Sequence, residues 1–317
     1  MSSAGGGMDR PDPVLAQLRA LGHPGAHWLG AGMEADVYAL DENTVARLPR
    51  SGTTTGPLDR LLEELSGRGL PFAVPATLGR FALPDGRVLQ RQPWLRGRSI
   101  GDFHDPSTGY LDVRAEEVLV ELLSALHTLG GQQPVAAPEL PLLGGRARTT
   151  AQNWSTPLQQ LLAGRGRGSV DLLRSHVDGV DDLRSACSAF LEARQDVVTS
   201  LQHGDICPEN VLVDDDCRLS SVLDWGFLTM PADPVLEMAT TSSFFDMYGP
   251  HALRTDRRLT DLFVEAFSVD RADVLRYKAV YALVGADAYS SDADGHFLWC
   301  AALLGRADVR AAVLGWV

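Results

Sequence analysis

The stretch that decides the fold runs from residue 201 to 226 and reads LQHGDICPENVLVDDDCRLSSVLDWG. Two short apolar runs within it, Val211–Val213 and Val222–Leu223, are typical of β-strands. The aspartates at 214–216 lie between these runs and carry too much charge for the interior of a sheet, so they indicate a turn. The stretch therefore predicts two strands that are joined by a polar turn.

Polar side chains stand at the ends of these strands: Asp205, Asn210 and Asp224. Carboxylate and amide oxygens are hard ligands that suit Mg²⁺, and a carboxylate is also a base. The spacing His-x-Asp-x-x-x-x-Asn, followed by Asp-x-Gly, is that of a kinase catalytic loop and metal-binding triplet. We therefore expect phosphoryl transfer, in which Asp205 meets the proton of the attacking hydroxyl while Asn210 and Asp224 hold Mg²⁺ against nucleotide phosphates.

Length and charge limit the classes of function. With 317 residues, the chain is long enough for one large or two modest domains with an ample core. A net charge of −13 argues against nucleic acid and anionic membranes as partners and permits a cationic one, although acidity that serves only solubility fits equally well. The sequence has no apolar run of membrane-spanning length and no signal peptide.

The cysteines and the N-terminal residues predict two further properties. Cys187, Cys207, Cys217 and Cys300 show no Cys-x-x-Cys spacing, so we expect reduced thiols in a cytoplasmic protein. The glycine- and serine-rich beginning predicts a flexible tail over residues 1–11.

Residues 12–95 predict a small antiparallel sheet with one main helix. A turn with Gly30 and Gly32 joins two strand-like runs, and glycine there lets the backbone approach a phosphate closely. A plain hairpin has the same pattern. Arg47 lies in the middle of the following strand, where its cation either reaches nucleotide phosphates or faces solvent.

A helix that opens at Pro57 offers a carboxylate to Arg47. Asp59 and Glu63 are four residues apart and share a face of this helix, so the sequence favours neither of them as the partner of Arg47.

The strand before residue 93 is expected to end at Pro93, which has no N–H for a sheet, and Gly97 adds conformational freedom. We therefore expect a hinge near 92–97 between an N-terminal nucleotide-binding lobe and a helical catalytic and substrate-binding lobe over 98–317. The predicted fold class is α+β, with a small antiparallel N-lobe and a large, mostly helical C-lobe.

The C-terminal helices are expected to line the acceptor pocket. Carboxylates there suit an amine-bearing acceptor and aromatic rings suit a macrolide or a nucleoside. For each residue taken singly, surface charge or core packing is the favoured explanation. Asp246, Asp287 and Tyr289 are the candidate substrate contacts. The wider candidate set also includes Tyr248, Tyr281, Asp292, Asp294, Phe297 and Trp299.

The chain resembles the aminoglycoside phosphotransferase-like family of antibiotic and small-molecule kinases, which share a protein-kinase-like bilobal fold. The resemblance spans roughly residues 25–300. It implies that Asp205 is the catalytic aspartate, that Asn210 and Asp224 bind Mg²⁺, and that the carbonyl of Pro93 and the N–H of Leu95 read adenine. The motifs that carry it are His203-Gly-Asp205-x-x-Pro208-x-Asn210, Leu223-Asp224-Trp225 and Asp233-Pro234-x-x-x-Met-Ala.

Three features depart from the usual patterns of this superfamily and of protein kinases. Arg47 stands where lysine is common, which replaces a point charge with a planar fork. Glu237 stands where aspartate is commoner. Only a few residues separate Asp224 from Asp233, too few for a protein-kinase activation segment, which favours a small-molecule acceptor over a protein.

The expected activity is transfer of the γ-phosphate of ATP or GTP to a hydroxyl of an antibiotic, an aminoglycoside or another cationic compound, which would inactivate it. A metabolite kinase that acts on a sugar, a choline-like compound or an amino-acid alcohol, and a macrolide kinase, are alternatives. A non-catalytic nucleotide-binding module of the same fold is a further alternative, although the complete set of Asp205, Asn210 and Asp224 argues against it.

Overall fold

The chain folds into two compact units, one from Met1–Ser66 with Val74–Leu95 and the other from Gly67–Ala73 with Arg96–Val317. A computed structural model describes residues 12–31, 35–50, 56–105, 108–130, 140–143, 146–149, 153–164, 167–289 and 293–315. The first unit is built on an antiparallel sheet and the second is mostly helical. This division of strands and helices confirms the predicted α+β class.

A five-stranded sheet, in the order β1-β2-β3-β5-β4, forms the frame of the first unit. All of its pairings are antiparallel. The turn between the last two strands lies at Pro84–Gly86, where the sequence predicts it, and β5 ends at Pro93 as expected. The strands are β1 (His27–Ala31), β2 (Ala35–Ala39), β3 (Thr44–Pro49), β4 (Gly79–Ala82) and β5 (Val88–Pro93).

Two helices accompany this sheet. The first, α1 (Pro13–Ala20), starts at an N-cap aspartate, Asp12, whose carboxylate accepts the N–H of Val14 at 2.8 Å. It buries Leu18 in a core shared with side chains of the strands. The second, α2 (Gly56–Ser66), buries one face through Leu61, Leu62 and Leu65, and its first turn presents Asp59.

The second unit is dominated by helices, most of which share one large apolar core. Its helices are α3 (Val113–Thr128), α4 (Thr156–Gly164), α5 (Arg167–His176), α6 (Val180–Ala193), α7 (Pro234–Phe244), α8 (Ala252–Phe267), α9 (Arg271–Gly285), α10 (Gly295–Gly305) and α11 (Ala307–Leu314). Helix α9 is buried on nearly every side, which is why its sequence is apolar without a marked amphipathic stripe.

Short strands of the second unit carry the stretch that opened the sequence. They are β6 (Arg98–Ser99), β7 (Pro141–Leu142), β8 (Ala147–Arg148), β9 (Ser200–Gln202), β10 (Val211–Val213), β11 (Leu219–Val222) and β12 (Met230–Ala232). A three-stranded sheet has the order β11-β10-β6, and β9 pairs with β12. The polar turn predicted between two apolar strands lies between β10 and β11.

The start of α7 is held by a buried charged network. Asp233, which is 1% exposed, caps the helix by accepting the N–H of Val235 at 3.0 Å, as the sequence predicts. Its other oxygen accepts two guanidinium N–H bonds from Arg194, at 2.8 and 2.6 Å, and the hydroxyl of Tyr277 at 2.8 Å. These contacts tie α6, α7 and α9 together at one point.

A second buried network joins α7, α8 and α9. The ammonium of Lys278, which is 1% exposed, binds the carboxylate of Asp256 and the hydroxyls of Ser242 and Ser243. Arg306 binds the other carboxylate oxygen of Asp256 at 2.6 Å. Burial and, to a smaller extent, the charge of Arg306 lower the pKa of Lys278, whereas the paired carboxylate of Asp256 favours its charged form.

All four cysteines are free thiols, as expected for reduced residues. Within the described part of the chain, none of the helices combines the length and the hydropathy that crossing a bilayer requires.

Candidate active site

The candidate catalytic loop leaves β9 at residue 203 and depends on a glycine. Gly204 has φ of +81°, in the left-handed region that side chains rarely adopt. A Cβ atom at this position would lie 2.4 Å from the Cβ of Leu228, closer than carbon atoms approach. The His-Gly-Asp sequence therefore requires glycine for both backbone conformation and space.

Glu237 in the first turn of α7 anchors this loop. Its carboxyl group is buried and accepts the backbone N–H of His203 and of Gly204, the latter at 3.1 Å to each oxygen. Burial raises the pKa of Glu237 to about 8, although the two amide donors favour its charged form. The glutamate that departs from the commoner aspartate thus orients the backbone that leads to Asp205.

His203 is a fully buried structural residue in this loop. Its Nε2 lies 2.8 Å from the carbonyl oxygen of Leu223, and its Nδ1 accepts the N–H of Asp205 at 3.2 Å. A carbonyl needs a donor and an N–H needs an acceptor, so the ring is neutral with its proton on Nε2. Burial lowers the pKa of His203 to about 4, and the ring packs edge-on against Trp225.

Asp205 is held by Asn210. The Nδ2 group of Asn210 donates to the backbone carbonyl of Asp205 at 2.9 Å and to its carboxylate Oδ2 at 3.1 Å. Burial and, next, the negative charge of Asp224 raise the pKa of Asp205 to about 7, against a smaller lowering effect of the bond from Asn210. A carboxylate of this kind accepts a proton more readily than an exposed aspartate.

The two residues expected to bind Mg²⁺ both carry the hard oxygen atoms that this ion prefers. Because Nδ2 of Asn210 is used by Asp205, its carbonyl Oδ1 is the atom left for a cation. Asp224 is exposed and stands at φ of +57°, directly after β11. Among the described residues, no cluster of three or more His, Cys, Asp or Glu side chains has metal-binding geometry. Mg²⁺ commonly takes one or two protein carboxylates together with water and phosphate oxygens.

A cleft of about 770 Å³ opens beside Asp205 within the second unit. Its walls come from the segment after β6, the catalytic loop, the end of α7 and the chain that follows it. The sequence-predicted residues Asp246 and Tyr289 lie in its wall together with Asp205. Tyr248 and Tyr281 of the wider predicted set line it as well.

The two aspartates proposed as substrate contacts differ in their surroundings. The carboxylate of Asp246 accepts the N–H of His251 at 2.8 Å and shapes the turn after α7, where Gly249 leaves no room for a side chain. Asp287 does not belong to the cleft wall; its carboxylate binds Arg146 at 2.6 Å. A substrate role for Asp287 therefore stays a prediction without support from this cleft. Asp292 lies outside the described residues.

Candidate nucleotide contacts lie in the first unit. Gly30 sits at a bulge in β1, where a Cβ atom would meet open space, so this position tolerates close approach of a ligand. Gly32 lies outside the described residues. The guanidinium of Arg47 on β3 reaches Oε1 of Gln90 at 3.5 Å. Of the two candidate partners, Asp59 faces the sheet and Glu63 is exposed.

The predicted hinge groups of the first unit bind each other. The N–H of Leu95 donates to the carbonyl of Pro93 at 3.1 Å, and the intervening Trp94 donates its N–H to Asn43 at 2.7 Å. The two groups assigned to adenine are therefore each other's partners in this structure, and their contact with adenine stays a prediction.

Sequence reasoning missed several cleft residues. Asp102, His104 and His251 come from loops, whose positions periodicity does not reveal. Glu209 was visible inside the catalytic stretch, and its place directly before Asn210 is the signal that would have found it.

Comparison with known proteins identifies the fold. A model of the phosphotransferase enzyme family matches residues 28–267. The GDP complex of a mutant aminoglycoside 2′-phosphotransferase-IIIa is 15% identical with a TM-score of 0.62, covering 92% of this chain and 93% of that one. A thermostable mutant of APH(4)-Ia, in complex with AMP-PNP and hygromycin B, is 16% identical with a TM-score of 0.62, covering 91% and 92%.

A macrolide 2′-phosphotransferase type I is 22% identical with a TM-score of 0.54, covering 93% of this chain and 96% of that one. None of the curated proteins matches the chain. These structures confirm the predicted fold class, the kinase-like α+β fold of aminoglycoside phosphotransferases.

Proposed function

This chain belongs to the phosphotransferase enzyme family, and from that premise we propose that it transfers the γ-phosphate of ATP or GTP to a hydroxyl of a cationic antibiotic. The proposed enzyme is cytoplasmic and confers resistance by modifying its acceptor. Its nucleotide contacts are Gly30, Gly32, Arg47 and the segment at 92–97, which acts as the hinge between a nucleotide-binding part and a catalytic part.

One observation carries this proposal: Asp205 lies in the wall of a large cleft while Asn210 holds its carboxylate. A substrate hydroxyl in the cleft would meet a carboxylate whose pKa burial raises to about 7. A base with a pKa near the working pH is suited to proton transfer.

The proposed step is an in-line displacement. The acceptor oxygen forms a bond to the γ-phosphorus as the bond from that phosphorus to the β–γ bridging oxygen breaks, and the nucleoside diphosphate leaves with the bonding electrons. The hydroxyl proton passes to Asp205. Asn210 keeps the carboxylate in place for this transfer through its bond to Oδ2.

Asn210 and Asp224 would hold the Mg²⁺ ion. When bound, the ion neutralises negative charge on the nucleotide phosphates. The fit rests on the free Oδ1 of Asn210 and the exposed carboxylate of Asp224.

The charge of the cleft supports a cationic acceptor. Besides Asp205, the acidic side chains of its wall are Asp102, Glu209 and Asp246, while two histidines, His104 and His251, are its basic ones. Carboxylates bind ammonium groups through charge-assisted hydrogen bonds. Aminoglycosides and cationic peptide antibiotics have this chemistry.

The aromatic part of the same wall supports a second candidate, an acceptor with a large apolar face such as a macrolide. Phe244, Phe245 and Tyr281 are buried, and Tyr289 stacks on Phe227 with ring centroids 5.8 Å apart. Two alternatives remain to be tested. One is a kinase of a sugar, a choline-like compound or an amino-acid alcohol. The other is a non-catalytic nucleotide-binding module.

The test is a nucleotide-consumption screen of the purified protein with ATP and with GTP. It includes aminoglycosides, macrolides, cationic peptide antibiotics and common hydroxyl metabolites. We expect consumption with a cationic antibiotic and a mass increase of one phosphate on that compound. Nucleotide binding without turnover across the whole panel would contradict the proposal and support the non-catalytic module.

A further inference from the structure

Gln90 occupies the centre of the sheet in the first unit. It is 2% exposed, although an amide side chain is costly to bury without hydrogen bonds. In the register of the sheet it lies opposite Arg47 of β3 on one side and opposite Arg80 of β4 on the other. A neutral residue thus stands between two cationic neighbours.

The hydrogen bonds determine how this amide is oriented. Its Nε2 donates to Oδ1 of Asp59 at 2.7 Å, and its Oε1 faces the guanidinium of Arg47 at 3.5 Å. A carboxylate only accepts and a guanidinium only donates, so the reverse orientation of the amide would lose both interactions. Gln90 therefore links the carboxylate of α2 to the arginine of β3.

Asp59 is itself held firmly. The hydroxyl of Thr77 donates to its Oδ1 at 2.9 Å, and Arg80 forms an ion pair with its Oδ2. Since Thr77 and Arg80 hold Asp59 independently of Gln90, the carboxylate gives Gln90 a fixed point of attachment. Glu63, the other carboxylate on that face of the helix, is exposed.

We propose that Gln90 is a positioning residue for nucleotide binding, because its amide ties the Arg47 guanidinium to Asp59 and so holds that cation in place for the phosphates. This inference rests on the proposed function, in which Arg47 grips the nucleotide. It goes further in assigning to Gln90 a relay, in which its amide contacts both the Arg47 guanidinium and the Asp59 carboxylate. Because an arginine fork binds phosphate directionally, its orientation affects affinity more than that of a point charge would.

The test is a double-mutant cycle with Gln90→Met and Arg47→Met, read as dissociation constants for Mg·ATP and Mg·GTP by calorimetry. Adenosine and guanosine, which lack phosphates, serve as parallel ligands. We expect Gln90→Met to raise the dissociation constant of the triphosphate about tenfold, in line with the loss of a hydrogen bond to a charged group. The dissociation constants of adenosine and guanosine should change less than about twofold. In the Arg47→Met background, Gln90→Met should have no further effect.

Thr77→Val is the matched control. It removes a hydrogen bond to the same oxygen of Asp59 but does not touch the amide that faces Arg47, so we expect triphosphate affinity to stay within about twofold of wild type. The relay would be overturned if Gln90→Met weakened triphosphate binding equally in the wild-type and Arg47→Met backgrounds. It would also be overturned if Gln90→Met weakened nucleoside and triphosphate binding equally. Wild-type protein that binds neither triphosphate would overturn the proposed function as well, whereas tight wild-type binding that Gln90→Met leaves unchanged would overturn only the relay.

Discussion

At the residue scale, the surroundings of Asp205 favour its acceptance of a proton. Burial and, next, the negative charge of Asp224 raise its pKa. The bond from Asn210 keeps the carboxylate oriented despite that repulsion. Removing the carboxylate should therefore affect chemistry more than nucleotide binding.

We expect Asp205→Asn to lower turnover of an acceptor from the screen by about 10³-fold, since a positioned general base contributes on the order of 10²–10⁴-fold. The dissociation constant of the triphosphate should change less than about threefold. Steady-state kinetics and calorimetry measure the two effects. Asp216→Asn, at an exposed turn between β10 and β11, is the control and should keep wild-type turnover. Near-full activity of Asp205→Asn would refute the mechanism.

His203 predicts a pH dependence of stability. Its folded pKa of about 4 lies below its ordinary 6.5, so the unfolded chain binds a proton that the folded protein does not between those values. The contribution of His203 to the free energy of unfolding is then expected to fall by about 1.4 kcal/mol for each pH unit below 6.5, until pH reaches about 4.

The measurement is urea unfolding of wild type and His203→Gln across pH 4–7.5. Glu237 has the opposite sign, because its raised pKa favours the folded state as pH falls, but it is present in both proteins and cancels in their difference. The variant should lack the loss of stability that His203 causes. Parallel pH curves for the two proteins would show that His203 does not titrate as its burial demands.

At the element scale, one residue at the start of α7 has two roles: it caps the helix and it binds a cationic side chain. Asp233 caps the helix with one oxygen and binds Arg194 and Tyr277 with the other. Asparagine is as good an N-cap as aspartate but lacks the charge, whereas alanine loses both functions.

We therefore expect Asp233→Asn to destabilise the protein by about 2 kcal/mol, the size of a hydrogen bond to a charged group, and Asp233→Ala by about 1 kcal/mol more. Chemical denaturation of the two variants measures both contributions separately. Equal destabilisation would mean that the cap contributes nothing here. The partly exposed Asp308, which binds Arg306 beside another helix start, is a control whose asparagine variant should change stability less.

The sequence predicted the positions of strands, turns and helix caps better than it predicted contacts between residues that are distant along the chain. The strands around residues 211–222, the turn at 84–86 and the cap at Asp233 depend on neighbours along the chain, so local patterns were sufficient. The contact between Gln90 and Asp59 joins residues 31 positions apart through burial and register. No local pattern distinguishes a glutamine that links two charges from one that merely fills a strand.

The cleft shows the same limit. Asp205 and Asn210 follow from motif spacing, but His104 and His251 reach the cleft wall from separate loops. Asp287 and Asp246 look alike in sequence, but Asp246 lies in the cleft wall whereas Asp287 pairs with Arg146 outside it.

At the scale of the whole molecule, charge is the property that bears on the acceptor. With a net charge of −13 and an acidic cleft, the protein should attract cations from a distance. We expect kcat/KM for a cationic acceptor to fall about tenfold as ionic strength rises from about 0.05 to about 0.5 M, because the Debye length shortens. Stopped assays at several salt concentrations measure this dependence.

A neutral acceptor is the comparison, and its kcat/KM should change less than about twofold over the same range. The same flat response with a cationic acceptor would mean that aromatic contacts rather than charge select the substrate. This experiment therefore separates the two acceptor classes that the cleft supports.

Hydrogen bonds hold the segment between Asp224 and Asp233 along its length. Trp225 donates its indole N–H to the carbonyl of Val222, Gly226 donates to Thr229, and β12 pairs with β9. In protein kinases the corresponding interval carries the regulatory phosphorylation that turns the enzyme on. Here these contacts fix the interval in the folded chain, so we expect the catalytic arrangement to form on folding, without a phosphorylation step.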